Sequence, residues 1–248
     1  VTNTMQEYID LIKSEEKIEN DLILTSGENV TIGILSAILK NRKIKSIPLL
    51  GWQIPIITDD NHQKAKILNI DKNRLQKYLE KYDVIVLAGF QGINLKGSIT
   101  SLGRGGSDTT AVAIAAAVEA KRCDIYTDVD GVYSADPSIT PEAKKISKLA
   151  FEEMLEMSST GAKVLHTRSV ELAMKNNLVL QVLSSITNQP GTLIVDEKKL
   201  IEKEIVSGVS YSNNESKVTI SGILDKPGIS AQIFGLLANA NINVDMIV

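Results

Sequence analysis

The stretch that most constrains this chain is Leu102-Gly103-Arg104-Gly105-Gly106-Ser107-Asp108-Thr109-Thr110, which runs without a break into the alanine-rich segment 111–120. Three glycines surround one arginine; two good N-cap residues, Ser107 and Asp108, follow; then come strong helix formers. That order predicts a tight loop opening a helix. Just upstream, Asp83–Ala88 (DVIVLA) is a continuous apolar run suited to a strand buried on both faces, and Gly89-Phe90-Gln91-Gly92 ends it. The first turn of a helix leaves backbone N–H groups without intrahelical partners at the positive end of its dipole, which favours an anion. Glycine allows φ > 0 and a close approach of backbone to ligand. Arg104 adds a planar fork suited to a carboxylate or phosphate. The plainer reading is a helix entry with a surface arginine. The loop is not a Walker A motif, since no Gly-Lys-Ser/Thr follows, and it is not a dinucleotide GxGxxG.

The same alternation of apolar runs and helical patterns continues elsewhere. Lys45–Leu50, Cys123–Thr127, Leu178–Ser184 and Thr192–Val195 read as strands. Met5–Ile18, Val30–Leu39, Lys72–Lys81, Phe151–Met157 and Lys163–Lys175 read as helices. Asp21–Thr25 is a short apolar run ending at Ser26-Gly27-Glu28-Asn29, and Ile56–Lys66 shows no clear period. Strands alternating with helices predict an α/β domain with a largely parallel sheet. Its ligand crevice lies beyond the carboxyl ends of the strands, where Ser26–Asn29, Gly89–Gly92 and Asp128–Tyr133 are expected.

Asp196–Lys203 is a charged, apolar-poor bridge. Beyond it, Val206–Tyr211, Lys217–Ser221 and Ile242–Val248 read as strands and Ile229–Ala240 as a helix. Such a ββαβ unit is too small to bury enough area alone and needs more chain, another subunit, or both. The expected domains are therefore 1–195, a linker at 196–204, and a smaller unit at 205–248.

Composition narrows the function. An apolar fraction of 43% over 248 residues is ample for a core. A net charge of −3 and an aromatic content of 4% offer neither a basic surface nor stacking platforms for nucleic acid. The longest unbroken apolar run, Ala111–Val118, is eight residues, far short of a membrane span, so no membrane partner is expected. A single cysteine, Cys123, excludes an intrachain disulfide and fits a reducing, cytoplasmic compartment. The opening on Val1 without a signal peptide suggests a truncated sequence. His62 and His166 lie far apart without cysteine neighbours and read as structural or solvent-facing. Asp128-Val129-Asp130-Gly131 does not continue into the ligand ladder of a calcium loop, so Asp130 reads as a turn former.

Several longer runs occur together and in order: LTSGEN (24–29), GFQG (89–92), SLGRGGSDTTA (101–111), CDIYTDVDGVYSADP (123–137) and FEEMLEMSSTGAKVLHTRSVELA (151–173). They closely resemble the aspartate kinases of the amino acid kinase superfamily. The tail ILDKPGISAQIFGLLANANINVDMI resembles the start of the ACT regulatory region that follows the kinase domain in that family. The resemblance implies an amino acid kinase-like three-layer sandwich with a mostly parallel central sheet, then a partial ACT unit of ferredoxin-like α+β type. It implies transfer of the ATP γ-phosphoryl group to the side-chain carboxylate of L-aspartate. The product, 4-aspartyl phosphate, is the entry to lysine, threonine, methionine and isoleucine synthesis.

By resemblance, Arg104 grips the α-carboxylate of aspartate, Glu28 pairs with its α-ammonium, and Ser107 adds a hydrogen bond. Asp108 holds the cations around the transferring group. Thr127, Asp128 and Tyr133 match nucleotide-contacting positions, and Lys163 reaches the ATP phosphates. The catalytic set implied is thus Asp108, Arg104 and Lys163. The plainer readings are a helix N-terminal carboxylate for Glu28, an N-cap for Asp108 and a solvated lysine for Lys163. Mg²⁺ accompanies ATP and is expected on phosphates and water, with no protein ligands assigned. Asp225 and Asp245 match effector-binding positions, which implies lysine or threonine as a feedback effector. A homo-oligomer is implied as well, at least a dimer through the ACT region.

The implied chemistry fits the residue types. An aspartate side chain with a pKa of about 4 is already ionised at neutral pH and needs no general base. An anion must approach a polyanion in line, so catalysis is positioning plus charge neutralisation. The sequence departs from the family in lacking the N-terminal Lys-Phe-Gly-Gly-Thr-Ser motif, whose lysine neutralises the transferring group. The 248 residues alone are therefore expected to be a poor catalyst. Ser138 stands where many members have arginine, and Thr167 where proline is common. Two other readings stay open: a kinase acting on glutamate or acetylglutamate, and a non-catalytic amino acid sensor built on a kinase fold.

Overall fold

The computed structural model describes residues 2–162, 164–200, 206–211, 218–222, 226–240 and 244. The chain forms two compact units, 1–211 and 212–248.

In the first unit the helices are α1 (Thr2–Ile12), α2 (Lys17–Asn41), α3 (Lys72–Leu79), α4 (Gly106–Ala117), α5 (Phe151–Ser159) and α6 (Thr167–Lys175). The strands are β1 (Ser46–Leu49), β2 (Ile56–Thr58), β3 (Ile67–Ile70), β4 (Val84–Leu87), β5 (Gln91–Asn94), β6 (Ile99–Ser101), β7 (Cys123–Thr127), β8 (Lys148–Ala150), β9 (Leu180–Ser184) and β10 (Thr192–Val195). Three ladders result: β1-β4, β3-β2-β5-β6 and β7-β9-β10-β8. The crossovers β1–β4, β2–β5, β7–β9 and β8–β10 are parallel, while the local pairs β2–β3, β5–β6 and β9–β10 are antiparallel. Short connections can only return a strand antiparallel; the parallel pairs each span a longer crossover.

Two expectations at the front of the chain are corrected. Ser26–Asn29 does not end a strand, and Glu28 is not at a helix N-terminus: both lie mid-way along α2. The hydroxyls that read as loop formers are spent on the helix itself. Thr25 Oγ1 donates to Asp21 O (2.8 Å), Ser26 Oγ to Ile23 O (2.7 Å) and Thr31 Oγ1 to Gly27 O (3.0 Å). The apolar helix pattern therefore continues through a Ser-Gly pair that looks like a break. α2 is also long and apolar enough, by length and composition, to cross a membrane, a property that counting unbroken apolar runs misses. Here it packs along β1, β4 and β6 and carries the fully buried Asp21.

α4 is apolar all round, as a helix buried on more than one side should be. Val112 joins the core of Ile125, Met154, Val170, Leu180 and Ile194, under α5, α6 and the β7 ladder. Ile114 and Val118 pack on the other core, around Leu49, Ile54 and Leu75. The helix behind the glycine loop is thus held between two cores, which fixes the loop at its tip.

Other boundaries shift locally. α6 opens at Thr167, not at position 163, with His166 in extended backbone as its N-cap. Gly89–Gly92 leads straight into β5, and the aperiodic segment 56–66 holds β2. Residues 206–211, expected as a strand, form none; Val209 N–H donates to Ser134 O (2.7 Å), and Ser207 and Ser210 bond Glu153 and Thr160. In the second unit, 218–221 forms no strand, and α7 (Ile229–Asn239) opens at Gly228, whose φ is 92°. Lys163, Asp225 and Asp245 lie outside the described residues.

Candidate active site

The glycine loop is built by two left-handed glycines, Gly103 (φ 74°) and Gly105 (φ 68°). Gly106 N–H donates back to Gly103 O at 2.9 Å, closing the turn, and Thr109 N–H begins the helix ladder on Gly105 O at 3.0 Å. Gly105 is therefore the N-cap of α4. This corrects the reading of Ser107 and Asp108 as caps: both lie in the first turn, where the αL glycine, having no Cβ, has already made the entry. Between those two bonds, the N–H groups of Ser107 and Asp108 have no bonded partner among the described residues. They point out of a helix N-terminus at the position predicted for an anion.

The loop is clamped from several directions. Leu102 N–H donates to Phe90 O (2.9 Å), and Phe90 N–H donates to Thr110 Oγ1 (3.0 Å), so the end of β4 wraps the start of α4. A Cβ at Gly106 would meet Phe90 Cδ2 at 2.8 Å and Leu102 Cβ at 2.9 Å, so glycine is required by contact. Arg168, on α6, reaches across with its guanidinium, donating to Leu102 O (3.0 Å) and Ala65 O (2.8 Å). Its partial burial lowers its pKa from the usual value, with Asp59 opposing the shift. No local spacing points to Arg168, because its partners are 66 and 103 residues away.

The predicted residues fall into three groups. Arg104, Ser107 and Asp108 stand on one turn; Arg104 and Ser107 are exposed, and Arg104 makes no ion pair or hydrogen bond among the described residues. Burial raises the Asp108 carboxyl above the ordinary range, while the nearby His166, through its charge and its backbone N–H, pulls it back down. His166 is thus a neighbour of the loop and not merely a solvent-facing side chain. Thr127 ends β7 and Asp128 follows it, with Thr127 Oγ1 donating to Asp128 Oδ1 (2.9 Å); Tyr133 lies farther along the same loop. Tyr133 OH donates to Asp130 Oδ1 (3.0 Å), and Lys145 Nζ lies 3.1 Å from Asp130 Oδ2. Asp130 thus ties Tyr133 to Lys145. Lys145 and the Tyr133 hydroxyl hold its carboxyl below the usual range, and the same bond raises Tyr133.

Glu28 stands apart, part-buried on α2, with Thr2 Oγ1 donating to it at 3.4 Å. Among the described residues it exchanges no bond with Arg104. A surface concavity of about 520 Å³ along α3, lined by Asp71, Arg74, Lys77 and Lys81 among others, shares no residue with these groups.

Residues 2–184 match the model of the amino acid kinase family, and residues 218–248 match an ACT domain. The chain belongs to the amino acid kinase family. It is 50% identical over 231 residues to an aspartate kinase of Pseudomonas putida, covering 93% of this chain and 56% of that protein. It is 49% identical over 245 residues to an aspartate kinase of Stutzerimonas stutzeri, covering 97% of this chain and 60% of that one. Its fold superposes on Escherichia coli aspartokinase III in complex with aspartate and ADP with a TM-score of 0.80, at 29% identity, over 100% of this chain and 56% of that one. The chain spans a little over half the length of the relatives it matches. The amino acid kinase fold, with parallel crossovers and local hairpins, is therefore the one expected from the sequence, followed by part of an ACT domain.

Proposed function

We propose that the protein is an aspartate kinase that transfers the γ-phosphoryl group of ATP to the side-chain carboxylate of L-aspartate. The observation that carries this reading is the glycine turn: an exposed arginine and two backbone N–H groups, none of them paired among the described residues, at the N-terminus of a helix locked between two cores. It stands in a chain about half of whose residues are identical to those of aspartate kinases. Arg104 grips the α-carboxylate by its fork, Ser107 adds a hydrogen bond, and Glu28 takes the α-ammonium. The side-chain carboxylate then attacks the γ-phosphorus; the new O–P bond forms as the bond to the β-phosphate oxygen breaks, and ADP leaves. No side chain removes a proton. Catalysis comes from holding two anions in line in a field of fixed donors.

Thr127, Asp128 and Tyr133 form the nucleotide side, with Tyr133 presented through its bond to Asp130. Lys163 is assigned to the phosphates. Mg²⁺ would enter with ATP, held by the nucleotide's own phosphates and water with no protein ligand assigned, and would neutralise phosphate charge. Among the described residues no three His, Cys, Asp or Glu side chains gather to hold a metal ion, and Asp108 is the carboxylate assigned beside the transfer. Lysine or threonine is the proposed feedback effector, with Asp225 and Asp245 in its site, and dimerisation is assigned to the ACT region. The demand for ATP fits a cytoplasmic reaction.

The deciding experiment incubates the intact protein with ATP, Mg²⁺ and aspartate, glutamate or acetylglutamate side by side, trapping acyl phosphate with hydroxylamine. Hydroxamate with aspartate alone is the expected result. Hydroxamate with another acid only, or with none, overturns the assignment.

A further inference from the structure

Asp21 is fully buried on α2, and both of its oxygens are engaged by residues outside the helix. Its Oδ2 lies 2.6 Å from His62 Nδ1, and its Oδ1 accepts from Ser101 Oγ at 2.5 Å. The backbone N–H of Gln63 donates between them, at 3.1 and 3.2 Å. A buried carboxylate is costly unless so satisfied. What makes this one informative is where its partners lie. Ser101 ends β6 and is followed directly by Leu102, Gly103 and Arg104. Gln63, itself at φ 67°, presses its carbonyl on the glycine loop, since a Cβ at Gly103 would meet Gln63 O at 2.6 Å. A second tie runs beside the first. Gln91 pairs with Ser101 across the β5–β6 ladder and donates to Asn29 Oδ1 (3.0 Å) and Thr25 O (3.4 Å) on α2.

Glu28 lies two turns along the same helix from Asp21, ~10.5 Å away at 1.5 Å per residue. Arg104 lies three residues beyond Ser101. The two groups do not touch each other, yet both are anchored through one carboxylate. We infer that Asp21, with Ser101 and His62, is a positioning residue that sets the separation between Glu28 and Arg104, and so the fit of the amino acid acceptor. This rests on the roles proposed above for those two residues. The geometry assigns to Asp21 no contact with substrate. It acts by keeping α2 and the loop in one register, so loosening it loosens the grip on the acceptor and leaves the nucleotide corner on β7 alone.

The test uses Asp21→Asn and Ser101→Ala in the intact protein. The amide introduced by the first keeps the side-chain shape but replaces one acceptor oxygen with a donor. The aspartate KM is expected to rise at least ~10-fold in D21N, equivalent to about 1.4 kcal/mol, and ~3-fold in S101A. The ATP KM is expected to stay within ~2-fold. Amide exchange at residues 102–106 is expected to quicken ~10-fold at a temperature where both variants are folded. A role confined to folding would lower the active fraction and leave KM alone, and that pattern overturns the inference, as does a parallel rise of both KM values. If D21N does not fold, S101A decides on the same criteria. If the wild-type protein phosphorylates no aspartate, the function proposed above fails; the clasp is then judged on exchange, and unchanged protection at 102–106 overturns it.

Discussion

Gly105 and His166 are packed so closely that a Cβ at position 105 would meet His166 Cβ and Cγ at 2.3 Å. The start of α6 is thereby pressed on the αL cap of α4, and the imidazole is brought beside the Asp108 carboxyl, whose charge it favours. Two residues 61 positions apart thus fix one turn.

Gly105→Ala tests that contact. An alanine in the left-handed region costs roughly 1–2 kcal/mol before His166 has moved. The expected fall in Tm is about 2–8 °C for a chain of this size. Because the cap sits between Arg104 and Ser107, a loss in kcat/KM of at least ~10-fold is expected as well, equivalent to about 1.4 kcal/mol. A variant that melts lower yet keeps full activity would show that the cap supports folding only.

Arg104→Ala separates the two proposed substrates. Removing one partner of a charge pair closed over by a ligand costs about 2–5 kcal/mol, so the aspartate KM is expected to rise ~10²-fold, with the ATP KM within ~3-fold. Steady-state kinetics with each substrate varied in turn measures both, and equal weakening would remove the acceptor assignment.

Asp108→Asn divides stability from catalysis. Burial raises the folded-state pKa of Asp108, so above that pKa its charge destabilises the fold; as pH falls below the unfolded value both states are protonated and the penalty vanishes. The asparagine variant is therefore expected to melt higher than the parent at neutral pH, with the gap closing in acid. Its kcat is expected to drop ~10²-fold, because the role proposed for Asp108 is to hold the cations around the transferring group and the amide carries no charge to do so. Thermal melts across pH and a single kinetic comparison settle both halves.

Cys123 is buried in β7, and burial, with Asp124 and Asp108 nearby, pushes its thiol up from 9.0 to about 11. A neutral, enclosed thiol is a poor nucleophile, and labelling with a thiol-specific reagent at a pH of about 8 is expected to be slower by at least ~10²-fold in the folded protein than in denaturant. Between the unfolded and folded values the unfolded thiol ionises first, so stability falls as pH rises over that range. Rapid native labelling would show that the strand opens locally.

Where sequence reading succeeded, the signal was local. The glycine loop, its alanine-rich helix and the strands of DVIVLA and CDIYT are each stated by consecutive residues, because backbone propensity and side-chain period act over a few positions. Where it failed, the signal was local too, and misleading. Ser26-Gly27 looks like a break, yet the hydroxyls return to the helix's own carbonyls and α2 runs on. Gln91 looks like part of a turn, yet it opens β5 and reaches back to α2.

The sequence alone determined the kind of protein: an α/β chain of the amino acid kinase family, with a glycine turn around Arg104 that opens an alanine-rich helix and a strand that ends at Thr127. Only the tertiary structure decided how that turn is held. Asp21, His62 and Ser101, with Arg168, His166 and Gly105, converge from segments tens of residues apart. Such contacts depend on how crossovers bring strands and helices together, and no spacing along the chain encodes them.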